Sequence, residues 1–540
     1  MSRRVLHETS GLACRLVWTI SLTVGLLASS AGVSSAQITP QSVLAASPDS
    51  ALAAAIEGLP GERLLLDDAV ANAAGQATEA RIADAEMVAA TNAVRREKGA
   101  FDPELFGSGH WYGADTPSAS LFAGADVLQT ESSNYEAGAR MRLRLGTELS
   151  ASLNSLRTTT NSVFSTLDPE YQAFGALTLR QPLLKGFGPS ASGDLSFAER
   201  NLDSASSRYD GAVLAVRAEV ETAYWELYAA ERNHAVTLLI RDRAAAFHED
   251  AKLRAKAGMI GPSNVANAEF FLTEAEQTLL DTEEQLDRFS DRLATLMGRR
   301  PSDLRYRSGD EPPTTFPTVS RDELVAVVLR RNPDLQALGS DADALRALEK
   351  GSVWDARPTL DLIGSLGGSG LSGTPQDVFF PGDPNPVRTD IDGDRGDSVN
   401  QAVGRDFPNW NVGFVFAIPL GNREGKGERD RLRAQIVRAE QDILAGRRLL
   451  EEEVRAQHRE VERGTKRLAI ATRGVAASIK QVEIGMIEYN NGRTTAFEIV
   501  RLAADLATAQ QRYSDALVRT ASAAAVLRQL SGGWYPGNGN

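Results

Sequence analysis

Two kinds of hydrophobic periodicity alternate along the chain. Apolar residues recur at helical spacing from Asp67 to about Gly99, and Pro103 then marks a break into extended chain. Strict alternation of polar and apolar residues follows in three segments: 140–145, 149–154 and 171–180. A period of two with one polar and one apolar face predicts half-buried strands. The pattern therefore predicts a helix that leads into a strand region, which we place at 103–182.

The same succession returns in the second half of the chain. A helical pattern runs from Asp322 to about Lys350 and ends before Pro358. Alternating residues then predict strands within 358–419. The Gly-, Asp- and Pro-rich stretch 369–408 between them is typical of a long solvated loop.

Each strand region is followed by a long stretch that contains almost no proline. No proline occurs in 190–261 or in 420–535. At 1.5 Å per residue, a helix over 196–257 would be roughly 90 Å long. Helical patterns of this length are typical of coiled coils or helical repeats rather than of ordinary globular domains.

A single offset relates the two halves. A shift of 234 positions pairs Gly258 with Gly492 and also pairs Gly298 with Gly532. The shift persists without a gap over roughly 80 residues, which predicts an internal duplication. We assign 64–298 to a first repeat, whose long helices occupy 190–298, and 299–320 to a linker. A second repeat follows at 321–532, with its long helices at 422–532, and 533–540 form a C-terminal tail.

The first 36 residues have the features of an export signal. A basic segment precedes an apolar stretch at 16–27, and the small residues Ser34 and Ala36 offer a cleavage site before Gln37. A membrane anchor is the alternative, but the apolar run is short and interrupted by serine. We assign 1–36 to a signal peptide and 37–63 to a loosely ordered N-terminal arm.

Composition and charge exclude several classes of function. The formal net charge is −13, whereas nucleic-acid binding requires a basic surface, so nucleic acid is not an expected partner. Cys14 is the only cysteine and the histidines are scattered, so we expect neither a disulfide framework nor a Cys/His metal site. No motif for catalysis or for a cofactor has a convincing context, and we therefore predict neither an enzyme nor a bound cofactor.

Two charged segments have alternative interpretations. The acidic loop Asp390–Asp394 has the alternate carboxylates of a calcium loop but lacks its glycine and closing glutamate, so a solvated loop and a calcium site both stay open. Arg140, Arg142 and Arg144 alternate along one predicted strand, and in a membrane they would have to face a water-filled lumen. A soluble strand with a basic outer side is the alternative for these arginines.

Strands and long helices in this order, duplicated behind a signal peptide, resemble the TolC-like outer membrane efflux proteins. The resemblance covers about 64–532 and depends most on the glycine-led repeats at Gly258 and Gly492 and on the Pro–Leu junctions that follow the strands. It implies an α+β membrane protein that assembles as a homotrimer. The strands would form one β-barrel in the bacterial outer membrane, and the helices would continue it as a coiled-coil barrel through the periplasm.

The first strand region departs from the family pattern. It is longer than the second and has room for an extra hairpin around Gly146 and Thr147. The family has two strands per half. Whether the hairpin widens the barrel or lies outside it stays open at this point.

The resemblance also implies a function. It indicates a passive export duct that is embedded in outer membrane lipid and joined to a periplasmic adaptor (membrane fusion) protein and an inner-membrane pump, as in tripartite efflux of small molecules. The exit duct of a type I protein-secretion system has the same architecture and is an alternative. A periplasmic coiled-coil scaffold without a channel is an alternative of another class.

The resemblance further implies the positions of two sites. Adaptor proteins grip the helix tips of the family, which correspond here to Gly258, Met259, Gly492 and Arg493. The periplasmic gate corresponds to Glu498, Arg501, Tyr489 and Asn264, with Asn264 in the place of the usual acidic partner of the tyrosine. An ordinary solvated ion pair is the alternative for Glu498 and Arg501.

Overall fold

A computed structural model describes residues 48–120, 123–299, 304–317, 319–380, 384–491 and 493–536 of the chain. The predicted signal peptide 1–36, the first part of the arm and Gly492 lie outside the described residues. Ten helices, α1–α10, are found in the described part: Pro48–Glu57, Leu66–Gln76, Thr78–Gly99, Gly193–Lys256, Pro262–Leu296, Arg321–Arg331, Pro333–Asp355, Arg395–Gly404, Arg423–Asn490 and Ala496–Leu530. Eight strands, β1–β8, accompany them there: Glu62–Leu64, Glu104–Pro117, Val127–Arg142, Glu148–Thr160, Leu167–Pro182, Tyr306–Ser308, Thr359–Pro375 and Phe407–Ala417.

Four long helices are the longest elements of the described part of the chain. Helix α4 has 64 residues and helix α9 has 68, so each is about 100 Å long at 1.5 Å per residue. Helices α5 and α10, of 35 residues each, fold back along them. The helices pack on a core that is rich in alanine and contains these fully buried larger side chains: Val220, Tyr224, Leu227, Leu293, Leu324, Val454, Leu517 and Leu527.

Glycines in the left-handed conformation end three of the helices. At the end of α4, Gly258 has φ 72°, and the N–H groups of Gly258 and Met259 donate to the carbonyls of Ala255 and Arg254. Gly298 and Gly532 have φ 70° and 64° and end α5 and α10 with the same pair of hydrogen bonds. This is the Schellman motif, which glycine forms without steric cost.

A six-stranded sheet extends from the helices. Its strand order is β2-β3-β4-β5-β7-β8, and all five pairings are antiparallel. Four of the strands come from the first half of the chain and two from the second. The hairpin expected near Gly146 and Thr147 is present: Gly146 has φ 88° in the turn between β3 and β4, and the Leu143 N–H donates to Thr147 O at 2.8 Å.

The two faces of the sheet differ in polarity. One row of paired residues, here called the apolar row, crosses all six strands on one face: Leu105, Ala139, Ala151, Leu177, Leu366 and Trp410. The neighbouring row, here called the polar row, crosses them on the opposite face: Glu104, Arg140, Ser150, Thr178, Ser365 and Asn411. Successive residues of a strand point to opposite faces, so the alternation in the sequence becomes a two-faced sheet.

The loop predicted over 369–408 is only partly a loop. Strand β7 continues to Pro375, and helix α8 packs on the face that carries the apolar row, beyond that row. Gly370 makes this close approach possible, because a Cβ there would overlap the carbonyl oxygen of Ser398. The sequence pattern missed α8 because the helix is short and its partner surface is made of glycines.

The described part of the arm is more ordered than we expected and pairs with the linker. Strand β1 from the arm pairs in parallel with β6 from the linker, with Glu62 opposite Tyr306. The Tyr224 hydroxyl of α4 donates to Leu64 O at 2.9 Å and accepts from the Gly309 N–H at 2.8 Å, which fixes both segments to the core. The loosely ordered arm is therefore a wrong prediction for its described part. Its backbone partners lie more than 240 residues away in sequence.

Among the described residues, no helix combines the length and the apolar character needed to cross a membrane.

Candidate gate at the tips of the long helices

The long helices reverse direction at two tips. At the first tip, Gly258 ends α4 and the side chain of Met259 is 67% exposed. At the second tip, the Arg493 N–H donates to Glu488 O at 2.9 Å, which repeats the bond from Met259 to Arg254. Gly492 itself lies outside the described residues, so its assignment to the tip stays a prediction.

A hydrogen-bonded cluster joins α4 to α9 just below the tips. The Tyr489 hydroxyl of α9 donates to Asp250 Oδ2 at 2.5 Å and accepts from Arg254 Nη2 at 2.9 Å. Arg254 is also paired with Asp250 one helical turn away, with Nε 2.8 Å from Oδ2, and its guanidinium lies 5.2 Å from the centre of the Tyr489 ring. The three side chains thus link the two repeats of the chain by one charge-assisted network.

The environment keeps Tyr489 protonated. Burial, followed by the hydrogen bond to the Asp250 carboxylate, raises the pKa of its phenol to about 12. The hydroxyl is therefore a hydrogen-bond donor throughout the physiological pH range. A carboxylate can only accept, so the direction of the bond from Tyr489 to Asp250 is fixed.

The expected partner of Tyr489 was wrong for this chain. Asn264 is exposed in the first turn of α5, whereas the tyrosine hydroxyl is engaged by Asp250 and Arg254 of α4. Position relative to the tip glycine did not identify the acid, because the partner precedes Gly258 instead of following it. An acid and an arginine four residues apart near the end of α4 were the available signal.

Glu498 and Arg501 form an ion pair on the first turns of α10. Arg501 Nε lies 3.1 Å from Glu498 Oε2, and the Thr495 hydroxyl caps the helix by accepting from the Glu498 N–H at 3.4 Å. The Arg501 side chain is 58% exposed and the Glu498 side chain is 35% exposed. An exposed pair of this kind contributes about 0.2–1 kcal/mol. Their role in a ring at a tunnel entrance stays a prediction.

Exposed apolar side chains surround the tips. Met259, Phe270, Ile487 and Phe497 are each at least half exposed. Phe497 of α10 also contacts Phe271 of α5, with ring centres 5.2 Å apart. An apolar surface beside charged residues is typical of a contact region for another protein.

The three predicted lumen arginines do not all lie on a strand. Strand β3 ends at Arg142, so Arg144 lies in the turn before β4, and its expected place on the strand face is wrong. Arg140 belongs to the polar row, where its Nε lies 2.7 Å from Glu104 Oε2, and Arg142 lies opposite Glu148 on the same face. That this face lines a lumen stays a prediction.

The acidic loop has a structural role. The Asp394 side chain accepts from the N–H groups of Gly396 and Asp397 and forms a capping box with Asp397 at the start of α8. Asp394 Oδ1 thus accepts from two backbone donors. Within the described ranges, no cluster of three or more His, Cys, Asp or Glu side chains is arranged to hold a metal ion.

Comparison with known proteins shows which family the chain resembles. Residues 123–299 match the family model described as outer membrane efflux protein. The match covers about a third of the chain and confirms the resemblance to these efflux proteins that was found in the sequence. It also supports the predicted localisation in the bacterial outer membrane. None of the curated protein sequences matches the chain.

Solved structures of outer-membrane channels share the fold. The chain superposes on the outer-membrane channel OprN with a TM-score of 0.61 and 17% identity, over 87% of this chain and 91% of that one. The CmeC outer membrane channel of Campylobacter jejuni gives a TM-score of 0.59 and 14% identity, over 88% and 87% of the two chains. The outer membrane protein VceC of Vibrio cholerae gives 0.59 and 14%, over 87% and 97%. At these identities the likeness shows the mixed α/β fold alone.

Proposed function

We propose that the protein is the outer-membrane channel-tunnel of a tripartite efflux system and acts as a passive export duct for small molecules. The observation that supports this most is the continuity of two structures. A sheet with one apolar and one polar face leads directly into helices about 100 Å long. Such a chain can provide a membrane wall and a periplasmic conduit.

We propose that three copies of the chain close the sheet into a β-barrel. Unpaired strand edges are not tolerated in the hydrocarbon of a bilayer, so the outer edges of β2 and β8 need partners there. The apolar row would face lipid, and the polar row, with Arg140, would face the lumen. The long helices of the three copies would continue the barrel as a coiled-coil tunnel.

An internal duplication accounts for the paired helices. Helices α5 and α10 have the same length and begin 234 positions apart, at Pro262 and Ala496. Helices α4 and α9 also end 234 positions apart, at Lys256 and Asn490. The equal bounds support two repeats that each contribute one tip.

The tips are the proposed contact for a periplasmic adaptor protein, which would join the duct to an inner-membrane pump. Met259 and Arg493 lie exposed there, next to an apolar surface. The Tyr489 cluster is the proposed lock of the gate, because it holds α9 against α4 where the tunnel would narrow. The duct itself would do no chemistry, and energy would come from the pump.

One feature of the sheet favours a channel over a periplasmic scaffold. A periplasmic scaffold would not expose Trp410, Val412, Phe414 and Phe416 on one face of an edge strand. A type I protein-secretion duct has the same architecture, so the two export functions differ in pump and cargo and not in this fold.

Fractionation of the cell envelope tests the proposal. The protein should sediment with the outer membrane, require detergent for extraction, and migrate differently on a gel before and after boiling. A rod-shaped trimer that remains in the soluble periplasmic fraction would contradict a channel and favour the scaffold. Crosslinking from residue 259 should capture the adaptor, whereas crosslinking from residue 105 in the barrel should not.

A further inference from the structure

The hairpin β3–β4 is the feature of the sheet that the resemblance does not explain. We propose that this hairpin is part of the membrane-spanning wall, so that the outer-membrane barrel has eighteen strands and a wider lumen than one built from two strands per half. The proposal depends on the proposed function, because it describes the wall of that channel.

The hairpin lies inside the sheet and not beside it. Strand β3 pairs with β2 from Pro117↔Val127 to Glu104↔Arg140, and β4 pairs with β5 from Glu148↔Arg180 to Thr158↔Glu170. Strand β2 and strand β5 are therefore kept apart by two full strands. A hairpin that folded away from the wall would have to break both of these ladders.

At the apolar row and the polar row, the two faces of the sheet continue through the hairpin. Its residues in the apolar row are Ala139 and Ala151, and its residues in the polar row are Arg140 and Ser150. A hairpin that stood in water on both sides would have no reason to keep the apolar residues in register with Leu177 of β5. The shared register indicates that the hairpin and its neighbours face the same two environments.

Ion pairs on the polar face also connect the hairpin with both neighbours. Arg140 of β3 pairs with Glu104 of β2, with Nε 2.7 Å from Oε2. Arg180 of β5 pairs with Glu148 of β4, with Nη1 3.1 Å from Oε2, and also with Asp361 of β7, with Nη2 2.7 Å from Oδ2. Charged side chains this close together are stable only when they are hydrated or paired with opposite charges. A water-filled lumen would hydrate them, and the ion pairs on this face pair them.

The strand directions allow closure. Six antiparallel strands place β2 and β8, the two edges, in opposite directions. When β8 of one copy meets β2 of a second copy, the new pair is antiparallel like the others. A sheet of odd strand number would make this contact parallel. Three copies of six strands therefore close as eighteen antiparallel strands, an even number as in bacterial outer-membrane barrels.

A wider barrel has a functional consequence. Barrel diameter grows roughly in proportion to strand number, so eighteen strands in place of twelve widen the wall by about half. The number of long helices per copy is unaffected by the hairpin. The outer-membrane segment is then not the narrowest part of the duct, and the size limit for the cargo lies in the helical tunnel or its gate.

Lipid quenching of single labels tests whether the hairpin is in the wall. Cys14 is the only cysteine and belongs to the predicted signal peptide, so Ala151→Cys provides a unique labelling site in the mature chain. Its matched control is Ser150→Cys, the next residue on the opposite face of β4. Val412→Cys and Asn411→Cys form the same pair in β8, outside the hairpin.

We expect brominated lipid to quench a bimane label at 151 at least about twofold more than at 150, as it should at 412 compared with 411. Equal quenching at 151 and 150, with a clear difference at 412 and 411, would overturn the proposal and leave the channel function intact. Equal quenching in both pairs would contradict the channel itself.

Counting strands provides the second test. Replacement of residues 118–166 by a two-residue Asn-Gly turn removes β3 and β4 and joins β2 to β5, which are already antiparallel. Electron cryo-microscopy of the unmodified protein should show eighteen strands, and the shortened variant should show twelve. Twelve strands in the unmodified protein would overturn the proposal, whether or not the shortened variant folds.

Discussion

Tyr489→Phe should weaken the closed state of the gate. The substitution keeps the ring beside Arg254 and removes one hydroxyl, which donates to Asp250 Oδ2 at 2.5 Å. A hydrogen bond to a charged group contributes about 1.5–3 kcal/mol when it is buried. The Asp250 side chain is 27% exposed and Tyr489 is half-buried, so the lower figure of about 1.5 kcal/mol applies. If opening separates α9 from α4, the ratio of open to closed gates should rise about tenfold per protomer.

Single-channel recording in a planar bilayer measures this ratio directly. The variant should spend a larger fraction of time open at the same voltage and salt concentration. Asp250→Ala should act in the same direction, because it removes the acceptor of the same bond. Tyr209→Phe makes the same chemical change near the other end of α4 and should leave the open fraction unchanged. An unchanged open fraction in both Tyr489→Phe and Asp250→Ala would refute the lock.

Three further predictions concern the tip, the entrance and the core. Gly258→Ala should destabilise the tip by about 1–2 kcal/mol, because φ at this position is 72°. Gly474→Ala within α9 should instead stabilise its helix by about 1 kcal/mol. Hydrogen exchange should therefore become faster around residue 258 and slower around residue 474, and equal effects at the two sites would contradict the strained turn. Arg501→Ala should increase cation selectivity and Glu498→Ala should decrease it, and unchanged reversal potentials in both variants would place the entrance elsewhere. Burial raises the pKa of Glu231 from 4.5 to about 7. The stability that the protonated carboxyl contributes is therefore complete below pH 4.5, and roughly 3 kcal/mol is lost as the pH rises through 7. Glu231→Gln should remove this pH dependence from thermal unfolding, and the same pH slope in the variant would contradict the prediction.

The sequence predicted those elements whose conformation depends on neighbouring residues. The absence of proline permits helices as long as α4 and α9, although α9 ends at Asn490 within a proline-free stretch. Alternation sets the two faces of the strands. The break between α6 and α7 was missed, although Asn332 caps α7 by accepting from the Leu335 N–H and Pro333 begins it. The sequence does contain this start signal, because Asn followed by Pro is typical of the first residues of a helix.

Long-range pairings could not be predicted in the same way. The bond between Tyr489 and Asp250 depends on how α9 lies against α4, and two helices about 100 Å long can slide by a turn without changing either pattern. The pairing of β1 with β6 depends on tertiary contacts of Tyr224 and not on strand propensity. Residue identity at a family position suggested Asn264 for the gate, but the register of the helices decides which acid is within reach.

Ion conductance of the purified mature protein tests the central claim most directly. Added to a planar lipid bilayer from detergent, the protein should produce discrete conductance steps of one size per inserted particle. The steps should become larger or more frequent in Tyr489→Phe, because the gate rather than the barrel limits the current. A bilayer that stays electrically silent with both proteins, although each copurifies with the outer membrane, would contradict the account of this chain as a channel.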